Sequence, residues 1–336
     1  MFAAARRGTP VLITDPAAPP AGGPADAGAR RLPPETFLVV VTSGTSGHPR
    51  PVLRTAASWT SSFAPFSELT GIGPGDRVLL TGPLHATMHL FAAVHTLAIG
   101  AHLVDDPAIA TAVHAVPSRL ATLLDELDRG AGRAPLHTVV VAGAPLPDEL
   151  AARALARGLA VVEYYGAAEL SFVAARRAPG PLRPFPGARV ELRSGVLWVS
   201  SPYLSLGYPP GISGPFRRAA DGFATVGDLA EDRSAPDDPA GPALRIRGRG
   251  DAAITTGGAT VVAEDVEQVL LALPGVAAVA VVGAAHPRLG QLVVAVLEPV
   301  AGADLGGIRA AARRVLTGPS RPRRWLVADA LPRTPG

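Results

Sequence analysis

Apolar and polar positions alternate in two different rhythms along this chain, and the change of rhythm divides it. From Phe37 to Tyr164, short β-branched runs are separated by longer helical patterns. Phe37–Val41, Arg77–Thr81, Thr138–Ala142 and Ala160–Tyr164 are too short for helices and read as strands. Ser118–Arg129 and Asp148–Arg157 carry apolar residues at helical spacing. Strands alternating with helices predict an α/β layer with a mostly parallel sheet. After Gly187 the pattern shortens to Arg189–Leu192, Val196–Ser200 and Leu244–Arg247, short strands joined by turns in a β-rich subdomain. From Asp251 a third pattern starts. Val266, Val269, Leu270 and Leu273 share one helix face, closed by Pro274-Gly275. Val276–Val282 and Leu292–Leu297 read as strands, and Leu305–Leu316 as an amphipathic helix. The expectation is a large α/β domain over 1–250 with a β-rich subdomain, and a small, mobile α+β domain over 251–336.

Composition narrows the function classes. Only 18% of the 336 residues are charged and 48% are apolar, which suits a packed core rather than a disordered chain. The net charge of +3 is spread over dispersed arginines, and 5% aromatic residues are too few for a base-stacking platform, so nucleic acid is not an expected partner. The chain has neither cysteine nor lysine, which removes thiol nucleophiles, Cys-ligated metals and lysine chemistry together. The most apolar stretch, Val78–Val104, contains Pro83, His85, His89, His95 and His102, which argues for a buried helix and strand beside a site rather than a membrane span. With no signal-type segment at the start, the expected location is the cytoplasm. The eight histidines show no metal-protease spacing, and Ser43, Ser46 and Ser171 lie in no nucleophile elbow.

The candidate chemistry begins with Thr42-Ser43-Gly44-Thr45-Ser46-Gly47-His48-Pro49-Arg50, directly after a strand. Glycines let backbone N–H groups converge, and hydroxyls add donors, so such a loop can cradle a polyphosphate. By itself it is equally well an ordinary Ser/Gly turn. The stretch resembles the phosphate loop of the adenylate-forming superfamily of acyl-CoA synthetases and related AMP-binding ligases. It differs in having Arg50 for the family's lysine, which keeps a phosphate-binding cation, and Pro51 for a glycine, which removes a donor.

Four more stretches resemble the family in its order. Pro83-Leu84-His85 resembles the motif beside the acyl pocket. Tyr165-Gly166-Ala167-Ala168-Glu169 resembles the family's Tyr-Gly-x-Thr-Glu, which implies adenine stacking at Tyr165 and a Mg²⁺ ligand at Glu169, with Ala168 lacking a hydroxyl. Gly227-Asp228 resembles the pair whose aspartate accepts the ribose hydroxyls. Gly248-Arg249-Gly250-Asp251 resembles the motif with a ribose- and phosphate-binding arginine, Arg249, and an interdomain hinge, Asp251. Singly, each residue has a plainer role: Asp228 as a turn cap, Glu169 at a helix start, Arg249 in a surface ion pair, His85 in the core. Five motifs in order are what carry the resemblance.

The resemblance implies ATP-dependent activation of a small-molecule carboxylic acid to an acyl-adenylate, then transfer to a thiol. ATP, Mg²⁺ and coenzyme A are the implied cofactors. Glu169, His85 and Arg50 are its candidate catalytic residues. Thr42, Ser43, Gly44, Thr45, Ser46, Gly47, Tyr165, Gly166, Asp228 and Arg249 are the candidate nucleotide site. His85, Gly143 and Ala144 would line the acyl pocket, and Gly257 and Gly258 the thiol tunnel. A carrier protein or an amine is an alternative acceptor, and a catalytically impaired nucleotide-binding relative is an alternative class. Relative to the family the chain is short before the phosphate loop, a compactness shared with bacterial o-succinylbenzoate–CoA ligases, whereas Tyr165–Ala174 is more similar to bacterial acyl-CoA synthetases. It stops at Leu331-Pro332-Arg333-Thr334-Pro335-Gly336, where the family continues to a lysine. From this an impaired first half-reaction is expected, with nucleotide binding retained and Arg323, Arg324 or Arg333 partly compensating.

Overall fold

The computed structural model describes residues 9–13, 32–42, 50–129, 135–235, 238–239, 241–249, 253–256, 259–286, 289–316 and 318–332. The first sheet joins β1 (Val11–Leu12), β2 (Leu38–Val41) and β3 (Pro51–Arg54), with β1 parallel and β3 antiparallel to β2. Two helices follow, α1 (Ala56–Thr60) and α2 (Phe63–Thr70). Thr55 caps α1 in a capping box with Ser58.

The central sheet is built from β4 (Arg77–Leu80), β5 (His102–Val104), β6 (Ala112–Ala115), β7 (Thr138–Val141), β8 (Ala160–Ala167), β9 (Ser171–Arg177) and β10 (Arg183–Pro184). The spatial order is β10-β9-β8-β7-β6-β4-β5. The five strands from β5 to β8 are parallel, and β9 and β10 continue antiparallel. Helices α3 (Thr87–Ala98), α4 (Pro117–Arg129) and α5 (Asp148–Ala156) connect the parallel strands. Both faces are covered: Phe66, Phe91, Val140 and Val162 pack on one, and Leu120, Leu124, Val139 and Val161 on the other. This is why the parallel strands read as continuous apolar runs.

β11 (Arg189–Arg193), β12 (Val196–Ser200), β13 (Arg217–Arg218), β14 (Ala224–Thr225), β15 (Asp228–Asp232) and β16 (Leu244–Arg249) form an antiparallel sheet with its own core around Leu197, Val199 and Val226. The last sheet holds β17 (Ala253–Thr256), β18 (Ala259–Val262), β19 (Val276–His286), β20 (Gly290–Pro299) and β21 (Arg324–Val327), packed with α6 (Ala263–Leu271) and α7 (Leu305–Val315) around Ile254, Val266, Leu270 and Ala312.

The α/β class and its β-rich neighbour are as expected from the sequence. Element lengths differ. β8 runs on through Ala167, three residues past the expected end, because antiparallel pairing with β9 replaces the turn. The strands at Val276 and Leu292 extend to eleven and ten residues as one long antiparallel ladder. The helix expected to reach Leu273 ends at Leu271, two residues short. No helix of the described residues is long and apolar enough to cross a membrane. Val78–Val104 is instead β4, α3 and β5, with His89 and His95 fully buried on the helix.

Candidate active site

The parallel strands deliver their carboxyl ends to one edge of the sheet, the usual place for a ligand in an open α/β sheet. His85 lies in the turn between β4 and α3, and Gly143 and Ala144 lie just beyond β7, both exposed. Tyr165 and Gly166 lie near the end of β8. Beyond them, Ala167–Leu170 turns the chain into β9.

That turn tolerates no side chain at Gly166. A Cβ there would lie 2.1 Å from the Ser171 carbonyl oxygen, which is backbone and cannot yield. The ladder shifts register at Tyr165/Gly166, and Ser171 takes a positive φ of 60°. The bulge and the tight turn set Glu169 inward, 1% exposed, rather than at a helix start. Tyr208 donates its hydroxyl proton to Glu169 Oε1 at 2.7 Å, while the buried Oε2 has no hydrogen-bond partner. A carboxylate stripped of water and half-satisfied is expensive unless another group completes it. An orphaned, inward-facing carboxylate oxygen fits a role as one ligand of a Mg²⁺ ion whose other ligands come from phosphate and water. Among the described residues no group of three or more His, Cys, Asp or Glu side chains could by itself hold a metal ion.

Tyr165 reaches the neighbouring sheet: its hydroxyl donates to Asp228 Oδ2. Asp228 opens β15, is 6% exposed, and pairs in register with Arg249 at the end of β16. Gly227 before it turns with a φ of +86°, and its N–H donates to Thr225 Oγ1 at 2.9 Å. The structure thus brings Tyr165, Asp228 and the backbone of Arg249 together, with Glu169 four residues from Tyr165. Arg50 stands at the base of the phosphate-loop candidate. Thr42 and Arg50 close that loop with a backbone bond of 2.9 Å and an Arg50 N–H to Thr42 Oγ1 bond of 3.0 Å. The Arg50 Nε donates to the Ser213 carbonyl at 3.2 Å. Ser43, Gly44, Thr45, Ser46, Gly47, Asp251, Gly257, Gly258 and Arg333 lie outside the described residues. Arg324 opens β21 in the last sheet, and Arg323 immediately precedes it.

Sequence reasoning passed over Arg54. It ends β3, is 0% exposed, and donates to the carbonyls of Ala168 (3.0 Å), Ser58 (2.7 Å) and Tyr203 (2.6 Å). Burial pushes its guanidinium down to about 9, with Glu169 opposing the shift. A charged residue inside the apolar run Pro51–Arg54 was the available signal. Tyr208 was missed too, its signal being the turn-forming Gly207-Tyr208-Pro209.

Comparison with known proteins follows this geometry. Residues 6–208 match the family model of AMP-binding enzymes, and residues 265–335 that of the AMP-binding enzyme C-terminal domain. An uncharacterized acyl–CoA ligase of Bacillus subtilis, YhfT, is 30% identical over 90% of this chain and 66% of its own length. A probable 2-succinylbenzoate–CoA ligase of Mycobacterium tuberculosis is 31% identical over 89% of the chain and 81% of its own length. Among solved structures, o-succinylbenzoate coenzyme A synthetase (MenE) from Bacillus subtilis, in complex with ATP and magnesium ion, superposes with a TM-score of 0.75 at 25% identity, covering 89% of this chain and 67% of that one. The chain therefore spans about two thirds of the length of the first of these relatives.

Proposed function

This chain belongs to the AMP-binding enzyme family, and we propose that it activates a carboxylic acid with ATP and passes the acyl group to a thiol, coenzyme A in the first instance. The carrying observation is the constellation at the carboxyl edge of the sheet: Glu169 with one orphaned oxygen, and Asp228 joined to Tyr165. The names of the relatives, acyl–CoA and 2-succinylbenzoate–CoA ligases, support the same reading.

In the first half-reaction a carboxylate oxygen of the acid attacks the α-phosphorus of ATP, and pyrophosphate leaves with the electron pair of the broken P–O bond. In the second, the thiol sulfur attacks the acyl carbon, the thiol proton is lost, and AMP leaves. Asp228 accepts the ribose hydroxyls and Tyr165 presents its ring to adenine, so the α-phosphate is held near Glu169. When bound, Mg²⁺ offsets the charge of the triphosphate. Arg50 adds a fixed cation at the phosphate loop, and His85 with Gly143 and Ala144 borders the acyl group. Most of the rate advantage in such a reaction comes from positioning and charge neutralisation. The family resemblance assigns residues 251–336 to a mobile unit, with Asp251 as its hinge and Gly257 and Gly258 at the path of the thiol.

Pyrophosphate release measured over a panel of aliphatic and aryl acids, followed by thioester formation with coenzyme A or a carrier-protein thiol, tests this. Acid-dependent release supports it, and the preferred acceptor separates coenzyme A from a carrier protein. A second reading, a nucleotide-binding relative without turnover, is favoured by Ala168 and Pro51, which remove a hydroxyl and a backbone donor. It predicts ATP binding by calorimetry with no release on any acid.

A further inference from the structure

Glu169 is held by more than its own turn. Its backbone carbonyl accepts from Ser205 N–H at 2.9 Å, and the carbonyl before it, of Ala168, accepts from Arg54. Arg54 and Leu53 in turn bind the 203–208 segment, through the Tyr203 carbonyl and through Leu53 N–H to the Gly207 carbonyl at 2.8 Å. This cross-bracing carries Tyr208 to the carboxylate. The direction of its hydroxyl is fixed: Phe216 N–H approaches the phenol oxygen as a donor at 3.4 Å, so the phenol proton is directed at Glu169 Oε1. The ring is seated as firmly. A Cβ on Gly214 would lie 2.5 Å from it, and Phe216 meets it edge-on at 6.4 Å. Burial and Glu169 both push the Tyr208 phenol up.

We infer that Tyr208 is a positioning residue for Glu169: it occupies Oε1, leaves the buried Oε2 as the carboxylate oxygen without a partner, and so fixes which oxygen meets a divalent cation brought with the nucleotide. The inference rests on the proposed nucleotide site. Without the phenol proton, Oε1 loses its partner and the carboxylate is free to rotate or to present both oxygens, so the cation site loses its set geometry. Tyr208→Phe is the direct test, because the ring keeps its seat against Gly214. ATP binding is titrated by calorimetry at increasing Mg²⁺, for the wild type, Tyr208→Phe, Glu169→Gln and the double variant.

The expected result is a rise of about tenfold in the Mg²⁺ concentration that half-saturates the gain in ATP affinity, as loss of one hydrogen bond to a charged group implies. Affinity for ATP without Mg²⁺ is expected to hold within about twofold, while the melting temperature falls, because the buried Oε1 is left without its phenol partner. In the Glu169→Gln background Tyr208→Phe is expected to be silent. A Mg²⁺ dependence unchanged by Tyr208→Phe, or an equal loss of affinity with and without Mg²⁺, or the same loss in the Glu169→Gln background, overturns the inference alone. A wild-type chain with no Mg²⁺-dependent ATP binding overturns the site reading and this inference with it.

Discussion

Gly166 is a backbone requirement before it is anything else. Its missing Cβ is the space filled by the Ser171 carbonyl, 2.1 Å away. Gly166→Ala should therefore open the turn, lowering stability by about 1–3 kcal/mol in urea denaturation, as overpacking against rigid structure does. It should also weaken ATP binding by displacing Glu169. Asp228→Ala should weaken ATP binding by about tenfold to a hundredfold in calorimetry, the loss expected for hydrogen bonds to a charged acceptor. At this scale the sequence was legible where a residue sits in a motif. Tyr165, Glu169 and Asp228 stand out in the sequence because each sits in a motif, and the fold joins two of them through the Tyr165 hydroxyl bond to Asp228, which the sequence does not show. Arg54 and Tyr208 carry only local signals, a charge closing an apolar run and a turn, whereas their significance lies in contacts across 114 and 39 residues of sequence that a local pattern does not name.

The elements around α3 pose a different problem. His89 and His95 on α3 and His114 on β6 are 0% exposed; His95 packs against Phe63, Phe66 and Phe91, and His114 stacks on Phe66. Ser67 Oγ meets His95 Nε2 at 2.8 Å, while both nitrogens of His89 and His114 lack partners. Burial holds His89 and His95 down to about 4, and His114 to about 3, where the neighbouring histidines lower it further. The native state keeps these rings neutral, whereas the unfolded chain protonates them near 6.5. Stability is therefore undiminished above pH 6.5 and falls as pH drops from there towards the folded values, by about 1.4 kcal/mol per pH unit for each proton. Urea midpoints between pH 7.5 and 5 should show this decline, and His114→Leu should reduce the slope by about one proton. The histidines of Val78–Val104 favour a buried helix and strand beside a site, and the packing agrees: His89 and His95 lie in the core on α3, and His85 lies in the turn before it. Element types were readable from periodicity. The lengths of β8, β19 and β20 were not, because they depend on antiparallel partners that the local pattern does not name.

Across the molecule, Arg247 ties the β-rich sheet to the helix of the last unit. Its guanidinium pairs with Glu231 on β15 and with Asp265 on α6. All three side chains are about one third exposed, so the pair is worth roughly 0–1 kcal/mol of global stability. A rotation of the last unit about the proposed hinge would separate Arg247 from Asp265. Arg247→Ala should leave the melting temperature nearly unchanged and raise the rate of thioester formation relative to pyrophosphate release, measured on the same acid. The central claim, reversible formation of an acyl-adenylate, is tested most directly by exchange of labelled pyrophosphate into ATP. The account predicts exchange that requires both Mg²⁺ and a carboxylic acid and that falls by about a hundredfold or more in Glu169→Gln, the loss expected when a charge-stabilising group is removed from such a site. No exchange with any acid from a chain that still binds ATP would contradict it.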